Sequence, residues 1–130
     1  METSSSIPII KLGKNLIVSI QGSLHDRLAL KLLEDVSQKI VKTKAGGLIV
    51  DVSAVDIMDS FIARTLNDIG MNAKTMGTET VLVGIQPSVA LTLIEMGMSL
   101  DNVHTALDLE DALAHLEKMR NGKEEDSGKK

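Results

Sequence analysis

A chain of 130 residues that is 43% hydrophobic is long enough for one domain with its own core, and Phe61 is its lone aromatic, so that core has to be aliphatic. With no cysteine, disulfides, thiol catalysis and cysteine-based zinc sites are excluded. Net charge is −4, and between Ala45 and Leu116 only Arg64 and Lys74 face ten carboxylates; such a surface repels phosphate backbones and, without stacking aromatics, argues against nucleic-acid binding.

Residues 1–6 and 120–130 are polar and short of apolar side chains. The folded unit is therefore expected over 7–119 as a single domain, with disordered tails on both sides. No basic region followed by a long apolar run opens the chain, and no apolar stretch approaches bilayer length, which points to a cytoplasmic protein. Ile7 to Leu12 reads as a first strand, with Pro8 suited to an edge, and Gly13 to Asn15 as a tight turn into LIVSIQG. Leu28, Leu32, Val36 and Ile40 then recur at helical spacing, which predicts an amphipathic helix from Asp26 to about Lys42.

Ala45-Gly46-Gly47 is expected to break that helix and release LIVDV, a run apolar enough for a central strand buried on both faces. From Ser60 the positions Ile62, Leu66, Ile69, Ala73 and Met76 step alternately by four and three, the strongest helical signal in the chain. Glu79 to Ile85 reads as another strand, and Gln86-Pro87 as the opening of a short helix closed by Gly97. A weak strand around Val103 to Thr105 and a last helix from about Asp108 complete the order ββαβαβαβα. The fold class is α/β: a mixed, mostly parallel sheet after an N-terminal hairpin, with about four helices.

Enzyme signatures fail. The phosphate-cradling GxxxxGK[ST], GxGxxG and GxSxG patterns are absent, and His25, His104 and His115 lie apart with no HxxxH spacing, so no catalytic residue, metal ligand or cofactor is assigned. Asp51 ends a central strand, where a phospho-acceptor of the receiver type would stand. The acidic pair and late lysine that such a site needs are missing, which favours an Asp51 that caps the strand end or bonds the following turn. A hydrolytic or ligand-binding domain built on Asp51, Asp56 and His104 has no nucleophile–base spacing behind it.

The acidic turn before the second helix remains. With Asp59 at the N-cap, Ser60 takes the first helical position and Phe61 the second, and the unpaired first-turn amides point outward. One reading is purely structural: Asp59 caps and Phe61 covers the core edge, partly buried. The other makes Ser60 a phosphorylation site, where a phosphate suits the helix dipole but meets Asp56 and Asp59.

LIVDVSAVDIMDSFIARTL, together with IPIIKL, NLIVSIQ, GIQPSVALTLIE and TALDLEDAL, resembles the STAS domain, the fold of bacterial anti-sigma-factor antagonists. Within that family it is most similar to the RsbS-type, single-domain scaffolds of the stressosome. The resemblance implies a non-catalytic, cytoplasmic phosphoprotein in a stress-response pathway that joins RsbR-type STAS proteins in a large assembly. It further implies sequestration of an RsbT-type serine kinase, phosphorylation by it at the DSF serine, Ser60, and resetting by an RsbX-type phosphatase. Asp56, Asp59 and Phe61 are the implied kinase-contact candidates. Thr92 matches a second phospho-acceptor of the RsbR-type members. The alternative that the family offers is a stand-alone anti-sigma-factor antagonist.

Overall fold

A computed structural model describes residues 7–22, 24–97 and 101–128. Strands β1 (Ile9–Leu12) and β2 (Asn15–Ser19) form an antiparallel hairpin, and Gly13 in its two-residue turn has φ +62, a conformation glycine adopts freely. Helix α1 (Asp26–Thr43) starts under His25, whose Nδ1 accepts the Leu28 amide at 3.3 Å. It ends one step before the expected glycine break, because Lys44 itself takes the left-handed conformation and returns its amide to the Ile40 carbonyl at 2.7 Å.

Strand β3 (Gly47–Asp51), helix α2 (Ser60–Thr75), strand β4 (Glu79–Val83), helix α3 (Pro87–Glu95), strand β5 (His104–Ala106) and helix α4 (Leu109–Gly128) follow. The sheet order is β1-β2-β3-β4-β5, parallel from β2 onward, so β1 and β5 are the edges and Pro8 stands just before an edge strand. The α/β architecture and element order match the sequence expectation. The weak last strand is displaced by one residue to His104–Ala106, where it pairs with Val81 to Val83 of β4.

The two faces of the sheet bury separate cores. On one face, Leu16, Val18, Leu48, Val50 and Leu82 meet Leu32, Val36 and Ile40 of α1, Leu66 and Ile69 of α2, and Val89 and Leu93 of α3. On the other, Ile49, Val81 and Val83 meet Ala112 and Leu116 of α4. The central strand is thus buried on both sides, with Leu48, Ile49 and Val50 each at most 1% exposed.

A small residue on α2 lets the layers approach. A Cβ at Gly70 would strike the Asn102 carbonyl and come within 2.6 Å of Val103, so only glycine lets the approach to β5 cross the helix so closely.

Helix α4 runs on to Gly128, through residues 120–128 of the expected tail. Its continuation LEKMRNGKEEDSG contains no proline, and its single glycine before the end is not enough to stop a helix. Residues 1–6, 129 and 130 lie outside the described residues. No described helix is long and apolar enough to cross a membrane.

Candidate functional site

The segment between β3 and α2 is pinned by three apolar pegs. Val52, Val55 and Met58 are 1%, 4% and 3% exposed, whereas Ser53, Ala54, Asp56, Ile57, Asp59 and Ser60 between and beyond them face solvent. Burying the pegs fixes the backbone and so presents the exposed residues in a defined order. Local hydrogen bonds tighten it. Asp51 Oδ1 accepts the Ser53 amide at 2.9 Å, and the Val55 amide donates to the Val52 carbonyl at 3.0 Å. Asp51 therefore serves the turn after its strand.

Asp59 has extended backbone, and its Oδ1 accepts the Ile62 amide at 2.9 Å, which makes it the N-cap of α2. Ser60 is then the first helical residue and is exposed; among the described residues nothing bonds its hydroxyl. Phe61 turns the other way and packs, partly buried, against the larger core. Asp56 is exposed three residues before the cap. The expected grouping of Asp56, Asp59 and Ser60 on one exposed turn is what the fold presents.

The neighbouring β4–α3 connection supports this turn from the side. Gln86 Nε2 donates to the Ser53 carbonyl at 2.9 Å, and a Cβ at Gly84, whose φ is +78, would lie 2.8 Å from Ser53 Cβ. Because β3 and β4 are adjacent and parallel, the starts of α2 and α3 lie at the same end of the sheet. Thr92 is on α3, exposed, with its hydroxyl donating to the Ser88 carbonyl at 2.9 Å.

Sequence reasoning passed over two features here. Ile57 is 77% exposed beside the cap, a large apolar side chain left in water on a loop whose other large apolar members, Val52, Val55 and Met58, are buried. Arg64, exposed one turn beyond Ser60, forms no ion pair among the described residues. Nothing in the sequence alone fixes which large apolar member of the loop stays outside.

The histidines separate into two situations. His25 caps α1, while His104 and His115, read as distant in sequence, come together across β5 and α4 with ring centroids 4.9 Å apart. His104 Nε2 lies 3.2 Å from Glu79 Oε1, and His115 Nε2 is buried without a hydrogen-bond partner among the described residues. No group of three His, Asp or Glu side chains fit to hold a metal occurs among the described residues. Nor does the fold gather Asp51, Asp56 and His104: His104 bonds the residue that opens β4, whereas Asp51 closes β3 and Asp56 lies in the loop beyond it.

Comparisons with known proteins agree with this architecture. Residues 6–112 match the STAS domain. A serine-to-glutamate variant of RsbS from Moorella thermoacetica superposes with a TM-score of 0.78 at 35% identity, covering 88% of this chain and 97% of that one. A chain of the stressosome, a signal integration and transduction hub, gives 0.76 at 37% identity over 87% of this chain and 98% of its own length. Among curated proteins, the RsbT co-antagonist protein RsbRD of Bacillus subtilis (strain 168) is 31% identical over 111 residues, which is 85% of this chain and 40% of that protein. The chain thus spans about two fifths of the length of the RsbR-type relatives it matches. Its strand order, its capped α2 and the match over most of its length place it together: the chain belongs to the STAS-domain family.

Proposed function

We propose that this protein is a non-catalytic stressosome scaffold that sequesters a serine kinase of the RsbT type and is switched by phosphorylation of Ser60. The observation that carries the reading is the division of labour at the start of α2. Asp59 supplies the cap, which leaves the adjacent Ser60 hydroxyl exposed and uncommitted in a chain similar to RsbS over nearly all of that protein's length. Phosphoryl transfer would join Ser60 Oγ to the γ-phosphorus of ATP, with ADP leaving and the hydroxyl proton passing to a base on the kinase. A phosphate at this place alters the surface without entering the core, so release of the kinase needs no unfolding. RsbR-type STAS proteins are the assembly partners, and an RsbX-type phosphatase restores the hydroxyl.

Incubation with the cognate kinase and ATP, followed by mass-spectrometric mapping, tests the switch. Phosphate on Ser60 that disappears in Ser60→Ala supports it; an active kinase that leaves Ser60 unmodified overturns it. Mixing with RsbR-type proteins should yield particles of very high mass by light scattering, and persistent small species would remove the scaffold role.

A further inference from the structure

We propose that Arg64 is the internal counter-cation of phosphorylated Ser60, drawing the phosphate along α2 and away from Asp56 and Asp59. This rests on Ser60 as the phospho-acceptor and adds the residue that lets the fold tolerate the modification. Ser60 and Arg64 are four apart within one helix and both exposed, so they are neighbours on its solvent face. Long helical side chains lean toward the N-terminus and cover the preceding turn, which carries the Arg64 guanidinium over the first turn of α2.

Charge order favours the pair as well. An anion four residues N-terminal to a cation is the better orientation on a helix, whereas Asp68, four residues beyond Arg64, offers the poorer one. Consistently, no ion pair joins Arg64 to Asp68 among the described residues. Within the segment from Ala45 to Leu116 the sole other cation is Lys74, near the far end of α2, while Arg27 stands in the first turn of the neighbouring helix α1. A dianion added beside Asp56 and Asp59 therefore has one cation in reach on its own helix, and the guanidinium fork can take two phosphate oxygens at once. A kinase-free chain phosphorylated at Ser60 would in this way hold its phosphate against α2, presenting a different charge pattern from one with a free phosphate.

The test uses the full chain with phosphoserine installed at position 60 during translation, so it does not depend on any kinase. Phosphorus NMR titration gives the second ionisation of the phosphate in this protein and in Arg64→Gln and Arg64→Lys. The expected result is a midpoint about 0.3 pH unit higher in Arg64→Gln, roughly a twofold weaker hold on the dianion, with Arg64→Lys between the two because an ammonium keeps the charge and loses the fork. In about 1 M NaCl, where screening is nearly complete, the difference should vanish. Equal midpoints in the parent and Arg64→Gln, or a difference that survives high salt, overturn the proposal. Failure of the kinase to modify Ser60 would instead sink the switch and leave this titration standing.

Discussion

The Asp59 carboxylate accepts the Ile62 amide at 2.9 Å, and Ser60, next in the chain, is exposed at the first position of the same helix. Capping and presentation of a serine are therefore compatible on one turn, because different side chains do each. Replacing Asp59 by Ala strands the Ile62 amide and should lower stability by about 1 kcal/mol, a Tm shift of roughly 3–5 °C. Asp59→Asn keeps an acceptor oxygen and should stay within about 0.5 kcal/mol of the parent. Calorimetry of both separates the cap from any further role: a kinase that phosphorylates the Asn variant poorly despite its normal Tm reads the Asp59 charge.

Much of this arrangement was legible beforehand, and the reasons are physical. The four-and-three spacing from Ile62 to Met76 exists because one stripe of α2 is buried, and Asp before an apolar periodic run is what an N-cap requires. What escaped depends on tertiary placement. Edge strand β5 is three residues long and paired on one side only, so its pattern is too short to fix its limits. His104 and His115 meet only because α4 crosses behind β5, an approach that no linear spacing encodes. Lys44 caps α1 in a left-handed conformation that favours glycine, which carries the helix to Thr43, one residue past the expected Lys42, and no sequence pattern marks a lysine for that place.

Ile57 offers a surface prediction. It is 77% exposed, so Ile57→Ser removes almost no buried area and should leave stability within about 0.5 kcal/mol. If the kinase docks over the acidic turn, an exposed aliphatic at its centre is a natural anchor, and the same variant should weaken capture about tenfold, near 1.4 kcal/mol. Titration calorimetry against the kinase measures this. Leu30→Ser, on exposed α1, is the control for loss of any surface aliphatic, and equal effects from both would discount the anchor.

Gly47 tests how α4 is seated. A Cβ there would strike the Asn15 carboxamide oxygen and lie 2.7 Å from Leu116 Cδ1, so the strand start is bare where α4 lies on it. Gly47→Ala should cost about 2 kcal/mol through overpacking, measured by urea unfolding. The adjacent Gly46 has only Arg120 Nε at 3.9 Å, and its Ala variant should lie within about 0.5 kcal/mol of the parent. Similar losses at both positions would show that backbone freedom, and not the contact with Leu116, governs this corner.

Thr92 separates a second modification site from a helix-surface residue. Its hydroxyl donates to the Ser88 carbonyl one turn back, a bond that any threonine on a helix face can make, and its side chain is exposed. Thr92→Val removes that hydroxyl at little structural cost, within about 0.5 kcal/mol. If the kinase uses both positions, Ser60→Ala retains a residual phosphate that Thr92→Val in the same chain eliminates, and intact-mass spectra of the single and double variants count it directly. Ser60 has the more accessible oxygen, since nothing among the described residues bonds it, so incorporation there should come first and at lower kinase concentration. A time course in which Thr92 is filled before Ser60 would reverse that order and make α3, not the start of α2, the first surface that the kinase meets.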